Sequence, residues 1–256
     1  MARLTIADLQ QMKNDGKKIA AGVCYDVQMT RILERAGVDL LSVGDSVSRT
    51  FLGMQSEDEF SLEAMLLFGK AVSRVAERAA VNVDMPTVVC NAGPKAVEAA
   101  TRRIKEETGA DMTKVDIRMQ EEELFDDVLA VIEAGLPVYP QIGFPVFEPR
   151  HGGPETHEHI MKWANAVQDA GAVMIDLTNV TLDIYADVAK TMRIPVIGGQ
   201  TGPESDGRIY VSYMLAGYRA NDLDRTDGGP NAARYMLEAF EKTFASVHDA
   251  TWEAPE

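Results

Sequence analysis

The chain has 256 residues and a formal net charge of −15 at pH 7, from 40 acidic and 25 basic side chains. Nucleic-acid-binding proteins need clustered Lys and Arg to displace counterions from phosphates, so this charge excludes that class. The composition, 46% hydrophobic and 25% charged, is typical of an ordinary soluble globular protein, and the length suits one α/β domain or two small ones. Apolar runs stay short of the roughly 18 residues of a membrane span, and the first residues lack a signal-peptide core. We therefore expect a cytoplasmic protein without a membrane partner.

Apolar runs of strand length alternate with longer segments of helical periodicity along the chain. An eighth run, around Tyr210–Met214, is weaker than the others, because the segment after Asp206 could equally form a short helix. The seven clear runs are Ile19–Cys24, Leu40–Val43, Val81–Asp84, Met112–Val115, Pro137–Gln141, Val173–Leu177 and Pro195–Gly198. This alternation is typical of repeated βα units around a parallel sheet.

Glycine and proline mark the ends of the predicted helices. Pro94 opens one helix and Gly109 follows it, as expected from the preferences of helix termini. The predicted helices are Ile6–Lys13 capped by Thr5, Lys95–Glu107, Glu121–Ala134, His157–Ala170 and Asn231–Val247. The pattern predicts one domain over residues 1–256, a (β/α)8 barrel with a C-terminal helix and a short acidic tail. A doubly wound open sheet is the alternative, although no GxGxxG follows the first strand.

Polar residues at the carboxyl ends of barrel strands are the candidates for a site, because active sites of this fold lie there. Asp45, Asp84 and Asp116 each close a predicted strand. Three converging carboxylates suit Mg2+ better than Zn2+, which prefers His and Cys. Taken singly, each Asp could equally cap the helix that follows.

Several motifs in chain order carry a resemblance to a known family. They read TIADLQQMKNDGKKIAAGVCYD, AGVDLLSVGDS, VDMP, GADMTKVD and IPVIGGQTGPESDGR. Over Thr5 to about Gly217, the chain resembles the ketopantoate hydroxymethyltransferases. These belong to the phosphoenolpyruvate mutase/isocitrate lyase superfamily of (β/α)8 barrels, and the resemblance therefore supports that fold.

The resemblance also implies a chemistry. Family members bind Mg2+, and the 2-oxo acid substrate chelates this metal through its carboxylate and keto oxygens. The enolate of 3-methyl-2-oxobutanoate then attacks the one-carbon unit of 5,10-methylenetetrahydrofolate. By position, Asp45 and Asp84 would bind the metal, and Asp116 would replace a metal-side Glu. Ser46 would contact the substrate carboxylate, and Lys114 the substrate itself. The family also assembles as homo-oligomers, which we expect here.

The chain departs from the family pattern around the substrate. The family reads LLVLExVP after the sixth strand and uses that Glu as its base, whereas MIDLTNVT places Thr178 there. A threonine hydroxyl is too weakly acidic to cycle as a base near pH 7. Gln141 replaces a family His, and Ile117 and Arg118 replace two family glycines. A strand-end Arg118 beside Lys114 would suit a second carboxylate on the substrate.

Another group would then have to replace the missing base. Asp176 is one candidate, if a regular strand places it on the same face as Thr178. Glu148 and His151 are others, in a Gly- and Pro-rich loop. The predicted catalytic residues are therefore Lys114, Asp176 and Thr178, and the predicted substrate-binding residues are Ser46, Asp84, Lys114, Arg118 and Gln141.

Three functions fit this combination. The first is a hydroxymethyltransferase-like enzyme with an altered substrate pocket. The second is a lyase, decarboxylase or C–C hydrolase acting on a 2-oxo or dicarboxylic acid. The third is a catalytically silent homologue that binds carboxylates. A need for folate or formaldehyde separates the first from the second, and binding without turnover identifies the third.

Overall fold

Eight short strands alternate with helices in the computed structural model, which describes residues 3–252. The strands are β1 Ile19–Val23, β2 Leu40–Val43, β3 Ala80–Val83, β4 Thr113–Asp116, β5 Val138–Gly143, β6 Ile175–Thr178, β7 Val196–Ile197 and β8 Gly207–Val211. The seven clearly predicted strands are confirmed, with ends that shift by no more than about two residues, as is usual for such boundaries.

The eighth strand lies earlier than predicted. It covers Gly207–Val211, and the short helix Ser212–Leu215 occupies most of the segment predicted as strand. Gly207 approaches β1 so closely that a Cβ there would lie 2.2 Å from the carbonyl oxygen of Ile19. A short apolar run has no periodicity that separates strand from helix, and only pairing with β1 decides between them.

The strands form two parallel sets, β1–β2–β3 and β4–β5–β6–β7, with β8 beside β1. Backbone hydrogen bonds join these sets on both sides. Met85 N donates to Lys114 O at 2.8 Å between β3 and β4, and Ile209 N donates to Gly198 O at 3.2 Å between β7 and β8. The sheet therefore closes on itself, which confirms a (β/α)8 barrel rather than an open sheet.

One end of the barrel interior is filled by apolar side chains. This cluster includes Leu40 of β2, Tyr139 of β5, and Met112 and Met174 just before β4 and β6, all buried. The first helix adds Leu9, which is 1% exposed. Thr5 caps that helix through a reciprocal bond with Asp8, as predicted from its position. The polar chemistry is thereby confined to the opposite, carboxyl end of the strands.

The α-helices follow the predicted order. They are α1 Ile6–Asn14, α2 Val27–Ala36, α3 Val47–Phe51, α4 Leu62–Ser73, α5 Thr87–Cys90, α6 Pro94–Arg103, α7 Glu121–Glu133, α8 Pro154–Ala170, α9 Leu182–Thr191, α10 Ser212–Leu215 and α11 Ala232–His248. The helix predicted over Lys95–Glu107 is α6 continued by a π-helical turn, Ile104–Thr108. Thr108 closes this turn by donating a hydrogen bond to the Ile104 carbonyl at 2.6 Å.

The chain divides into two compact units, Met1–Ile209 and Tyr210–Glu256. Within the second unit, α11 confirms the predicted C-terminal helix, and the Asn231 side chain caps it by accepting from Arg234 N. The predicted acidic tail lies partly outside the described residues, and the single-domain assignment stays a prediction. No helix within residues 3–252 has both the length and the apolar composition to cross a bilayer.

Candidate active site

Charged and polar side chains from five strands meet at the carboxyl end of the barrel. Because all these strands run in parallel, their carboxyl ends lie at the same edge. The predicted site residues found there are Asp45 and Ser46 after β2, Asp84 after β3, Lys114 and Asp116 on β4 with Arg118 just beyond, Gln141 on β5, and Asp176 and Thr178 on β6.

Lys114 lies between two carboxylates from different sides of the barrel. Its Nζ is 3.0 Å from Asp84 Oδ2 and 3.6 Å from Asp176 Oδ2. The three side chains are only 14%, 5% and 4% exposed. Burial alone would lower the pKa of Lys114, but the two carboxylates outweigh it and raise the pKa above its usual value. Lys114 is therefore a fixed cation inside the barrel.

Asp84 is held by a polar side chain beneath it. Asn82 Nδ2 donates to Asp84 Oδ1 at 2.6 Å and to Ser42 Oγ at 2.8 Å. Burial raises the pKa of Asp84 to about 6, although the Lys114 ammonium opposes the rise. Gly44 makes room for this carboxylate, since a Cβ there would lie 3.3 Å from Asp84 Oδ2.

Two residues that the sequence analysis missed orient the end of β2. Thr87 donates a hydrogen bond to Asp45 Oδ2 at 2.9 Å, and the hydroxyls of Tyr25 and Ser46 lie 2.9 Å apart. Burial raises the pKa of Asp45, and the Lys114 ammonium opposes that rise. Thr87 and Tyr25 each follow an apolar strand by a few residues, which is the signal that could have found them.

Asp116 has a partner of its own. The Arg118 guanidinium donates to both of its carboxylate oxygens, with Nε 2.9 Å from Oδ1. Within residues 3–252, no group of three His, Cys, Asp or Glu side chains could hold a metal ion. Asp116 is thus paired with Arg118 in the structure, and its place in a set of three metal-binding carboxylates stays a prediction.

The charge of the site nevertheless suits a divalent cation. When all groups are ionised, four carboxylates face two cationic side chains, which leaves two negative charges in excess. Protein-bound Mg2+ commonly takes only one or two carboxylates and completes its shell with water and substrate oxygens. Asp45 and Asp84 satisfy that requirement without Asp116, so the residues present fit Mg2+.

Two of the predicted site residues on β5 and β6 are neutral and are paired with each other. Gln141 Nε2 donates a hydrogen bond to Thr178 Oγ1 at 2.9 Å, and Gln141 pairs in register with Asp176. Asp176 and Thr178 are both buried on the inward face of β6, as a regular strand requires. Burial raises the pKa of Asp176, whose Oδ1 has no hydrogen-bond partner in the described chain.

The loop after β5 is bound to the end of β6. Asn179, at φ 56°, donates from Nδ2 to the Pro145 carbonyl at 2.6 Å and to the Glu148 carbonyl at 3.1 Å. His151 stacks on Phe144 at 3.9 Å between ring centroids, and its Nε2 lies 2.8 Å from Glu148 Oε2. Glu148 and His151 are thus engaged with each other within this loop.

The sequence comparisons give a consistent family. The profile described as ketopantoate hydroxymethyltransferase matches residues 3–252. A 3-methyl-2-oxobutanoate hydroxymethyltransferase from Leifsonia xyli subsp. xyli is 30% identical over 98% of this chain and 87% of its own length. The enzyme of that name from Acidothermus cellulolyticus is 34% identical over 84% of this chain and 81% of its own length.

Solved structures share the fold at much lower identity. A 2,3-dimethylmalate lyase, described as a PEP mutase/isocitrate lyase superfamily member, superposes with a TM-score of 0.66 at 16% identity, over 93% of this chain and 87% of its own. A phosphoenolpyruvate phosphomutase from Streptomyces platensis subsp. rosaceus gives 0.66 at 14% identity, over 98% and 92% of the two chains. With its barrel of the phosphoenolpyruvate mutase/isocitrate lyase type, this chain belongs to the ketopantoate hydroxymethyltransferase family, a family of transferases.

Proposed function

We propose that this chain forms or breaks a C–C bond in a 2-oxo acid by an aldol-type one-carbon transfer that depends on Mg2+. The observation that carries the proposal is the ammonium of Lys114, 3.0 Å from Asp84, at the carboxyl end of the barrel that also bears Asp45. A metal-binding pair of carboxylates beside a fixed cation suits a reaction in which negative charge develops on the substrate.

Each residue has a role in this proposal. Asp45 and Asp84 would hold Mg2+, which would supply Lewis-acid polarisation to a bound 2-oxo acid. The Ser46 hydroxyl, held near that of Tyr25, binds the substrate carboxylate. Lys114 stabilises the negative charge of the enolate through its ammonium. Gln141 and Thr178 carry no charge, and their contribution to substrate binding is therefore by hydrogen bonds.

The test is solvent deuterium exchange at C3 of 3-methyl-2-oxobutanoate, followed by NMR with and without Mg2+ and 5,10-methylenetetrahydrofolate. Exchange that requires the metal supports the proposal and shows that another group replaces the missing Glu. Binding of the 2-oxo acid without exchange, and without product when the folate is added, contradicts it.

A lyase, decarboxylase or C–C hydrolase is the second candidate. The hydrogen bond between Gln141 and Thr178 favours it, since this pair stands where the family base is expected and cannot remove a carbon-bound proton. Bond cleavage without folate or formaldehyde would identify this function. Metal-dependent binding without turnover of any 2-oxo or dicarboxylic acid would instead identify a silent carboxylate-binding homologue.

The remaining expectations concern the surroundings of the reaction. The folate is the proposed donor of the one-carbon unit, and free formaldehyde is the alternative donor. Arg118 is the proposed contact for a second carboxylate, which would have to displace or share its bond with Asp116. We also propose a cytoplasmic homo-oligomer, for which sedimentation velocity is the direct measurement.

A further inference from the structure

The carboxylate of β6 stands two residues earlier than the family pattern places it. The pattern LLVLExVP has an apolar residue where this chain has Asp176, and a Glu where it has Thr178. Residues two apart on a strand share a face. The chain therefore keeps a carboxylate on the inward face of β6, but deeper in the barrel and farther from the open carboxyl end.

At this depth Asp176 contacts one cationic group. Its Oδ2 lies 3.6 Å from Lys114 Nζ, and its side chain is 4% exposed. The other oxygen, Oδ1, has no hydrogen-bond partner among the described residues. A buried carboxylate is unfavourable unless it is paired, and Lys114 compensates the Asp176 charge most strongly, with a smaller contribution from Arg118.

Asp84 is the second carboxylate that faces the Lys114 ammonium. Its Oδ2 lies 3.0 Å from the same Nζ, and it follows β3, whereas Asp176 lies on β6. Two strands, β4 and β5, separate these positions in the sheet. The ammonium is thus held from both sides across the barrel interior, and it cannot turn toward one carboxylate without leaving the other.

We propose that Asp176 is a positioning residue, which fixes the Lys114 ammonium between β3 and β6 and adds one negative charge to the site. The inference deepens the proposed function, because it rests on the assignment of Lys114 to the substrate. Its consequence is that Asp176 favours the binding of a divalent cation and opposes the binding of an anion. A purely structural role would affect both in the same direction.

The decisive variant is Asp176→Asn, which removes the charge at nearly constant shape. Binding of Mg2+ alone, and of oxalate alone to metal-free protein, is measured by calorimetry. We expect affinity for Mg2+ to fall about tenfold and affinity for oxalate to rise about tenfold, since one negative charge leaves a buried site. The control Asp169→Asn removes the same charge from an exposed pair with Arg193 and should change neither affinity. Two affinities that are unchanged, or that both fall, would overturn the proposal.

A measurement on the unmodified protein covers the case in which the variant does not fold. In 15N-lysine NMR spectra at pH 7, the Nζ protons of Lys114 should exchange slowly with water, because the ammonium is buried between the carboxylates of Asp84 and Asp176. Lys13, paired with Asp206 at 2.6 Å, should give a second protected signal, which the Lys13→Arg variant identifies. A Lys114 signal that exchanges as fast as exposed Lys17 would overturn the proposal.

These measurements are independent of turnover. A protein that fails to exchange C3 of 3-methyl-2-oxobutanoate, yet shows opposite shifts for Mg2+ and oxalate, would contradict the proposed function and keep this inference. If the protein is active but its Asp176→Asn variant loses affinity for both Mg2+ and oxalate, the proposed function would stand and this inference would be contradicted.

Discussion

The side-chain amide of Gln141 donates a 2.9 Å hydrogen bond to the hydroxyl of Thr178, so two of the positions at which this chain departs from its family are direct partners. Gln141 lies on β5 and Thr178 lies on the neighbouring strand β6, where Thr178 pairs in register with Gly143. The substitutions therefore form one neutral pair in the site, beside the buried carboxylate of Asp176. The pair offers hydrogen bonds and contains no carboxylate, which distinguishes the chain chemically from the family pattern with a Glu at this place.

Replacing Thr178 by Glu should place a carboxylate base at the position where the family pattern has one. We expect metal-dependent C3 exchange of 3-methyl-2-oxobutanoate to rise about 100-fold, the usual scale of general-base catalysis. Deuterium incorporation followed by NMR measures the effect, and ketopantoate formation with the folate tests the full reaction. Thr178→Gln is the control of equal size without charge. Unchanged exchange in a Thr178→Glu protein that still binds the 2-oxo acid would contradict the prediction.

Asp45 is expected to be essential for the metal. Asp45→Ala removes one of the two carboxylates assigned to Mg2+ and leaves the Thr87 hydroxyl without its acceptor. Affinity for Mg2+, measured by calorimetry, should fall at least about 100-fold, and turnover should be lost. Thr87→Ser keeps the hydroxyl donor and should retain binding. Mg2+-dependent turnover in Asp45→Ala would show that the metal site is assigned to the wrong residues.

Gly44 should be needed for the placement of Asp84. A Cβ at Gly44 would lie 3.3 Å from Asp84 Oδ2 and 3.5 Å from Ser46 Oγ, closer than the carboxylate tolerates without moving. We expect Gly44→Ala to weaken both Mg2+ and 2-oxo acid binding several-fold, with a change in unfolding free energy of about 1 kcal/mol or less. Gly199→Ala is the control, since its nearest atom would be 3.7 Å from the new Cβ. Equal effects of the two variants on binding would contradict the argument.

Asp127, on α7, should make stability depend on pH. Its side chain is buried, its Oδ2 has no partner in the described part of the chain, and burial raises its pKa from 3.8 to about 6, with a smaller contribution from Asp126. The folded protein thus binds this proton more tightly than the unfolded chain does. The contribution of Asp127 to stability is then fully present at low pH and is lost as the pH rises from about 4 through about 6.

The Asp127→Asn variant removes this dependence. Relative to wild type, its free energy of unfolding should increase by about 1 kcal/mol more at pH 8 than at pH 5, measured by urea denaturation at both values. Exposed Glu123 lies on the same helix, and Glu123→Gln should show no such difference. A constant offset between Asp127→Asn and wild type at the two pH values would mean that Asp127 is not the titrating group.

The barrel could be predicted from the sequence because the patterns that indicate its strands and helices are local. Apolar runs, helix-capping residues such as Thr5 and glycines such as Gly109 each report on a few neighbouring residues, and seven strands followed from them. The eighth did not, because the choice between strand and helix after Asp206 depends on the approach of Gly207 to Ile19 across the closed sheet. A contact between residues far apart in the chain produces no periodic pattern in the sequence from which it could be predicted.

The sequence by itself determined which residues stand at the strand ends, since parallel strands bring their carboxyl ends to one edge. It did not determine their partners. The structure shows that Arg118 engages Asp116 locally, and only the closed barrel shows that Lys114 bridges Asp84 and Asp176 across two intervening strands. The physical reason is that the strength of an ion pair depends on distance and burial, and both are set by how the strands close around the interior.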